Sequence, residues 1–316
     1  MTRYARHVPS IFLACVVTVA WMWNPGHHPR YDQTDAGYQS FRDEIEGRAP
    51  KGVCYRVLVP SICRAAQETM PGFAREIIAN LVDHSPASSM QLDRDLLPAH
   101  AAAAAVALVS YIVLGVLFGP LALLLAWAAI GSHGGVGDPV TAAAFATAVW
   151  ALAAGRLRWF WLAFVAASLN RETAPLMLVW WVLAGNRLRW AAFAIVAWAV
   201  LRGFLAGAFS GNEMQMCWPM LARNLKQIAP LSATSAIASI AVLPLLIRGL
   251  ALMPAWSRCG FLIGLTALFM MAVLWSRPER LRVYLELLPM CSSAILLGLR
   301  SIIALPITWR SPDKEA

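Results

Sequence analysis

Four consecutive polar residues, Asn170-Arg171-Glu172-Thr173, interrupt an otherwise uncharged stretch in the middle of the chain. The flanking segments are WFWLAFVAASL and APLMLVWWVLAG, and the acidic residues between positions 96 and 278 are Asp138, Glu172 and Glu213. A charge at membrane depth costs roughly 2.5–3.5 kcal/mol on insertion scales, so a chain keeps one where it faces a polar cavity or another charge. The pattern predicts either a functional site or a buried structural ion pair between two helices.

A second polar cluster, YDQTDAGY at positions 31–38, follows the first apolar segment and contains Asp32, Asp35 and Tyr38. A carboxylate at the mouth of a cavity can act as a general base and take a proton from a sugar or lipid hydroxyl. Burial would raise its pKa, and a nearby arginine would lower it. The alternative is a solvated loop acid, and the residues alone leave both interpretations open.

Two arginine-bearing clusters complete the set. Tyr55-Arg56-Val57-Leu58-Val59-Pro60 places an arginine at the start of an amphipathic helix, where it can bind a phosphate or extend to lipid headgroups. Arg277-Pro278-Glu279-Arg280-Leu281-Arg282 stands at the start of a predicted helix, where free backbone amides also favour anions. A lipid phosphate or pyrophosphate would fit the second cluster, and the alternative is an ordinary basic loop.

The composition identifies a polytopic membrane protein. The 316 residues are 59% hydrophobic and only 14% charged, with a mean hydropathy of +0.60, more apolar surface than a soluble domain of this size could bury. Of the 26 basic residues only Lys51, Lys226 and Lys314 are lysine, and arginine offers a planar fork for phosphate. The net charge of +9 is spread along the chain without a contiguous basic domain, which argues against nucleic-acid binding.

Apolar segments predict an all-α membrane protein with about ten transmembrane helices. They divide the chain into a first helix (1–23), a long outer loop (24–97), a helical bundle (98–305) and a cytoplasmic tail (306–316). The predicted spans are 9–23, 98–118, 120–131, 139–154, 159–170, 173–185, 190–208, 231–247, 259–275 and 283–305.

Breaks and amphipathic segments refine this division. Gly119-Pro120 interrupts the apolar run 98–131, and residues 159–185 read as two short helices that meet at Asn170–Thr173. Short helices at membrane depth occur where they line a cavity. Within the outer loop, VLVPSICRAAQ and FAREIIANLV predict amphipathic helices that lie in the membrane plane.

The distribution of basic residues predicts how the chain is oriented in the membrane. With the N-terminus inside, the inner connections carry arginine pairs at 156 and 158, 187 and 189, and 248 and 258, and the tail carries Arg310 and Lys314. Because cytoplasmic loops are enriched in lysine and arginine, both termini are predicted to be cytoplasmic. The loop 24–97 and the clusters around Arg171 and Arg280 then face outward.

The cysteines and histidines do not form a metal-binding pattern. Cys54, Cys63 and Cys217 fall in predicted outer loops, where a disulfide is allowed. No Walker, GxGxxG, HExxH or GxSxG motif is present.

The four clusters, in this order, resemble the C-type (GT-C) integral-membrane glycosyltransferases. The likeness is closest to bacterial relatives of the mannosyltransferases that use a polyprenyl- or dolichyl-phosphate sugar. The matching elements are a D-x-x-Y-like Asp35-Ala36-Gly37-Tyr38, a Y-R-x-L-x-P element at 55–60, an R-E-T element at 171–173, and an E-x-R-x-(apolar)-P element. The last is approximated by Glu279, Arg280, Arg282 and Pro289.

The resemblance implies an inverting transferase of the inner (plasma) membrane whose active face is extracytoplasmic. A polyprenyl-phosphate sugar would be the donor, a hydroxyl group the acceptor, and Asp35 the general base, with Asp32 as the alternative. The residues expected to hold the donor phosphate are Arg280, Arg282, Arg56 and Arg277. Those expected to shape the cavity or contact substrate are Tyr38, Tyr55, Asn170, Arg171, Glu172 and Glu279.

Other interpretations stay open. Family members differ in their need for a divalent metal, and this sequence shows no dedicated metal site. A transporter or flippase for a lipid-linked or anionic substrate would equally explain a polar cluster at membrane depth, but it explains the long outer loop poorly. A non-catalytic subunit of an envelope assembly is the third alternative.

Overall fold

The computed structural model describes residues 7–23, 42–43, 45–48, 57–83, 94–130, 138–212, 233–275 and 281–303. Within these ranges the chain forms helices and their connections, with no strand, which confirms the predicted all-helical class. The α-helices are α1 (Val8–Trp23), α2 (Leu58–Thr69), α3 (Gly72–Asp83), α4 (Leu97–Phe118), α5 (Pro120–Ile130), α6 (Asp138–Ala153), α7 (Leu157–Asn170), α8 (Pro175–Leu183), α9 (Leu188–Ala208), α10 (Ala233–Leu252), α11 (Ala255–Trp275) and α12 (Leu288–Ile302). Two 3₁₀ helices, Arg94–Leu96 and Leu281–Leu287, precede α4 and α12.

Every predicted span falls on a helix of the described chain, namely α1 or one of α4 to α12. By length and composition, three segments of the described chain are able to cross a membrane: Leu97–Phe118, Leu188–Ala208 and Tyr284–Ile302. Shorter apolar helices accompany them at Val8–Ala20, Asp138–Ala153, Val242–Leu252 and Ala255–Met271. The chain therefore has the helices of a membrane protein.

Helix α9 has an exposed apolar face, which is why we expect lipid around it. Its side chains Phe193, Val196, Val200 and Phe204 are 69%, 61%, 67% and 71% exposed. They recur at three- and four-residue intervals and so form one continuous apolar face. Exposing an apolar face of this size to water is unfavourable, whereas the acyl chains of a membrane would cover it.

The predicted helix breaks are confirmed. Gly119 has φ of +81° and ψ of −178°, a combination that is essentially restricted to glycine, and Pro120 begins α5 immediately after it. The second break falls between Asn170, where α7 ends, and Pro175, where α8 begins.

The last predicted span differs in its first turns. The sequence predicts one continuous span over 283–305, whereas residues Leu281–Leu287 form a 3₁₀ helix and α12 begins at Leu288. Pro289 stands in the first turn of α12, where a missing amide donor costs nothing and the fixed φ suits the helix start. The proline therefore begins a new helix, and the turns before it are wound more tightly.

Two apolar cores hold the bundle together. One lies among α6, α7, α8, α11 and α12 and surrounds Trp180, whose ring meets Phe145 edge-on at 5.4 Å and whose indole N–H donates to the Gly260 carbonyl over 3.1 Å. The other joins α1, α4 and α5 around Tyr111 and Leu123.

The segment 24–97, predicted to be an outer loop, contributes helices that pack on the bundle. Val59 and Cys63 of α2 are fully buried, in a small core that includes Ala99 of α4. On α3, the side chains of Phe73 and Ile77 are exposed one helical turn apart, as the predicted interfacial role requires. Of the predicted disulfide partners, Cys54 and Cys217 lie outside the described residues.

Helices α10 and α12 approach each other closely because glycines line the crossing. A Cβ atom on Gly249 would collide with the backbone of Ala294, and one on Gly298 would collide with the backbone of Leu245. Small residues of this kind allow backbones to touch, which is a common way to pack helices in lipid.

Candidate functional site

The polar segment Asn170–Thr173 lies where α7 ends and the chain turns into α8. Arg171 leaves the helix with extended backbone angles, φ −144° and ψ 145°, while its amide still donates to the Ala167 carbonyl over 2.7 Å. The extended residue directs the Arg171 side chain inward, and only 10% of that side chain is exposed.

Arg171 binds two buried carboxylates from distant parts of the chain. Its Nη2 forms an ion pair with Oδ1 of Asp138, and its Nη1 lies 3.7 Å from Oε1 of Glu286. Both carboxylate side chains are 0% exposed. Asp138 stands in the first turn of α6, where the helix dipole also favours a negative charge.

Hydroxyl and amide groups extend this cluster. The Thr173 hydroxyl donates to Oε1 of Glu286 over 2.6 Å, and the Asn170 side-chain amide donates to the Thr141 hydroxyl over 2.8 Å. The turn after α7 is thus bonded to α6 on one side and to the Leu281–Leu287 helix on the other. We call Asp138, Arg171, Thr173 and Glu286 the buried cluster.

The buried cluster has more carboxylate than guanidinium groups, two against one. Within the described chain, Oε2 of Glu286 and Nε of Arg171 have no hydrogen-bond partner. The buried hydroxyl of Tyr111 on α4 also has none, and it lies near enough to Asp138 to interact electrostatically. Buried polar atoms without partners are uncommon and mark places where further groups can bond.

Glu172 does not pair with Arg171, contrary to the simplest interpretation of adjacent opposite charges. Its side chain is 39% exposed and approaches Nη1 of Arg202 on α9 at 4.0 Å. Arg202 in turn donates through Nη2 to the Ser168 carbonyl over 2.8 Å. Side chains of consecutive residues in extended backbone point to opposite sides, so Arg171 and Glu172 meet different partners.

Sequence reasoning missed Glu286 and gave Asp138 no role. Each had a usable signal, because an ionisable residue inside an apolar segment is a functional or structural candidate by default. Glu286 is the lone acid of the run VYLELLP, and Asp138 directly precedes an apolar helix.

Other segments meet the same end of the bundle. The backbone amide of Val57, at the start of α2, donates to the Leu169 carbonyl over 2.9 Å. The Gly47 carbonyl accepts a 2.7 Å hydrogen bond from the Asn212 side chain just beyond α9. We call this region, where the buried cluster meets the segment 24–97, the acidic end.

The opposite end of the bundle carries arginine. It comprises the start of α7, the end of α8 and the start of α9, together with the ends of α10 and α12. Between the last two helices, Nε of Arg248 donates a hydrogen bond to the Ser301 hydroxyl over 2.5 Å. We call it the basic end. Its arginines are Arg156, Arg158, Arg187, Arg189, Arg248, Arg258 and Arg300.

The structure covers part of the predicted site. It describes Asn170, Arg171 and Glu172 in full, and it gives Arg282 a backbone position on the Leu281–Leu287 helix. The other predicted residues lie outside the described ranges: Asp32, Asp35, Tyr38, Tyr55, Arg56, Arg277, Glu279 and Arg280. Among the described residues, no group of three or more His, Cys, Asp or Glu side chains is able to hold a metal ion.

Comparisons of this chain with protein-family models, with curated proteins and with solved structures find no match.

Proposed function

We propose that this protein is a membrane glycosyltransferase of the GT-C type. It would move a sugar from a polyprenyl-phosphate donor to a hydroxyl acceptor on the extracytoplasmic face, with inversion. The observation that carries the proposal is the meeting of three motif segments at the acidic end. Val57 of the Y-R-x-L-x-P element donates a hydrogen bond to Leu169, which lies two residues before the R-E-T element. Thr173 of the R-E-T element donates to Glu286, which lies between Arg282 and Pro289 of the E-x-R-x-(apolar)-P element.

In the proposed reaction, Asp35 or Asp32 takes the proton of the acceptor hydroxyl as its oxygen attacks the anomeric carbon of the donor. The bond from that carbon to the phosphate oxygen breaks, and polyprenyl phosphate leaves. Arg280 and Arg282, assisted by Arg56 and Arg277, would stabilise the charge that grows on the leaving phosphate. A divalent metal could share this task, and the polyprenyl-phosphate sugar itself is a co-substrate.

The buried cluster has a positioning role in this proposal. Arg171 is already engaged by two carboxylates, so its guanidinium is a poor choice for a phosphate ligand. It instead ties the turn after α7 to the Leu281–Leu287 helix, whose first residues include Arg282. Tyr38, Tyr55, Asn170, Glu172 and Glu279 would line the substrate cavity, Glu172 through its exposed face.

The distribution of charge supports the proposed orientation. The described acids of the bundle, Asp138, Glu172 and Glu286, lie at the acidic end, whereas the basic end carries arginines. Under the positive-inside rule the basic end faces the cytoplasm. We therefore propose an inner-membrane protein with ten crossings, both termini cytoplasmic and the acidic end outward.

The first test is mass spectrometry of the lipids that copurify with the detergent-solubilised protein, in the wild type and in Arg282→Ala. A polyprenyl phosphate or its sugar conjugate, present in the wild type and lost in the variant, would support the donor site. Arg258→Ala, an exposed arginine at the basic end, is the matched control and should keep the lipid. Bulk phospholipid alone in every sample would favour the transporter or the envelope-assembly subunit instead.

A further inference from the structure

A second candidate site lies at the basic end, away from the buried cluster. An open cavity of about 780 Å³ is formed there by the start of α7, the end of α8 and the start of α9. Its principal lining residues are Trp161, Trp181, Asn186, Arg187, Trp190 and Phe193. Aromatic rings and an arginine thus share one concave surface.

The wall of this cavity is fixed by local bonds. Gly185, with φ of +80°, turns the chain after α8, and the Asn186 side chain donates to the Trp181 carbonyl over 3.2 Å. The Trp181 indole N–H donates to the Arg187 carbonyl over 3.2 Å, and its ring lies 4.7 Å from that of Trp161. The aromatic surface is therefore preformed.

Among the described residues, no carboxylate compensates the positive charge at this cavity. Arg187 is exposed and forms no ion pair with a carboxylate of the described chain, and the same holds for Arg156, Arg158 and Arg189 nearby in sequence. The Arg189 guanidinium lies 5.8 Å from the centre of the Trp190 ring. Such a group of arginines attracts an anion, and arginine binds phosphate through a planar fork.

The apolar part of the cavity is exposed. Leu157, Trp190 and Phe193 are 40%, 50% and 69% exposed, and Phe193 belongs to the continuous apolar face of α9. A ligand held here would place an anionic group at the arginines and an apolar group along the tryptophans and Phe193. Tryptophan and arginine at helix ends are typical of the headgroup region of a membrane.

We propose that this cavity binds an anionic phospholipid of the surrounding membrane. Its phosphate would contact Arg187, and the upper part of an acyl chain would lie against Trp161, Trp190 and Phe193. Helix α7 has 14 residues and therefore places this site roughly 20 Å from the buried cluster at its other end. The inference is thus independent of the proposed transferase reaction.

The test is native mass spectrometry of the full chain, delipidated in detergent and titrated with phosphatidylglycerol or with phosphatidylcholine of the same acyl chains. The wild type should bind the first phosphatidylglycerol about tenfold more tightly, because both lipids carry the phosphate but only phosphatidylcholine carries a choline cation, which the arginines repel. Arg187→Ala should remove this preference, and Trp190→Ala should weaken binding of both lipids.

Arg258→Ala is the control, because it removes one exposed arginine from the basic end but outside the cavity. It should keep the preference, and inorganic phosphate should not displace the lipid. Equal binding of the two lipids by the wild type would overturn the proposal. So would an unchanged preference in Arg187→Ala, or equal losses in Arg187→Ala and Arg258→Ala, which would indicate diffuse attraction to the whole basic end.

Discussion

Thr173 and Glu286, 113 residues apart in sequence, are joined by a 2.6 Å hydrogen bond inside the helical bundle. The same Glu286 oxygen lies 3.7 Å from Arg171, which also pairs with Asp138. One turn between two short helices is thereby bonded to the start of α6 and to the helix that leads into α12.

Replacing Arg171 should destabilise the protein strongly. Arg171→Ala leaves two buried carboxylates without their cation, and loss of one partner of a buried ion pair typically costs roughly 3–5 kcal/mol. Arg171→Lys should also destabilise, because a single ammonium does not reproduce the fork that reaches both Asp138 and Glu286. Thermal unfolding in detergent measures both changes, with Arg258→Ala as the control. Equal unfolding temperatures for Arg171→Ala and the control would contradict the structural role.

The two arginine–carboxylate contacts near the turn should differ in strength. A double-mutant cycle on Arg171 and Asp138 should give a coupling near the upper end of the usual range, about 3 kcal/mol, since both groups are buried. The cycle on Arg202 and Glu172 should give about 1 kcal/mol or less, since Glu172 is 39% exposed and the atoms are 4.0 Å apart. A stronger coupling in the second pair would show that the R-E-T element is organised around Glu172 instead.

The hydrogen bond from Thr173 to Glu286 should contribute to stability independently of the negative charge of Glu286. Glu286→Gln retains an oxygen that accepts from Thr173, so we expect a smaller loss of stability than for Glu286→Ala. The alanine variant leaves the Thr173 hydroxyl buried without an acceptor, which costs about 1–3 kcal/mol. Chemical denaturation of the detergent-solubilised variants measures the difference. If glutamine destabilises as much as alanine, the negative charge is the dominant contribution.

The crossing of α10 and α12 should tolerate no added methyl group. Gly249→Ala would drive a Cβ atom into the Ala294 backbone, and overpacking of this kind costs roughly 1–3 kcal/mol. Gly203→Ala on α9 is the matched control, because a Cβ atom there meets nothing within 4 Å. Thermal unfolding should separate the two variants clearly. A stable Gly249→Ala protein would mean that the two helices pack less closely.

The helices could be predicted from the sequence because apolar run length and glycine–proline pairs are local signals. Gly119-Pro120 ended one helix and began another where the pattern indicated, and the two short helices meet at Asn170–Thr173 as expected. The length of the last helix was less predictable. Pro289 favours a helix start there, yet the run VYLELL before it is apolar except for one acid and contains no signal for a 3₁₀ helix.

The partners of Arg171 could not be predicted from local sequence. Glu172 is its neighbour in the chain, but the extended backbone of Arg171 sends the two side chains apart. Asp138 and Glu286 are distant in sequence and meet Arg171 only through the packing of α6, α7 and the Leu281–Leu287 helix. The docking of Val57 on Leu169 is likewise a tertiary contact without a sequence signal.

The proposed role of a loop aspartate as the base of a sugar transfer can be measured in a transfer assay. Membranes containing the wild type, Asp35→Asn, Asp32→Asn or both changes would be incubated with radiolabelled polyprenyl-phosphate sugars, with mannose as the first probe. Release of polyprenyl phosphate and labelling of an acceptor would be measured.

Asp43→Asn is the control for that assay, since Asp43 is an acid of the same loop that pairs with Arg48 at 3.2 Å. We expect transfer by the wild type and by the control, with a loss of roughly 10²–10⁴-fold in Asp35→Asn, as for removal of a general base. Loss in Asp32→Asn alone would assign the base to Asp32. Undiminished transfer by the double variant would contradict the mechanism.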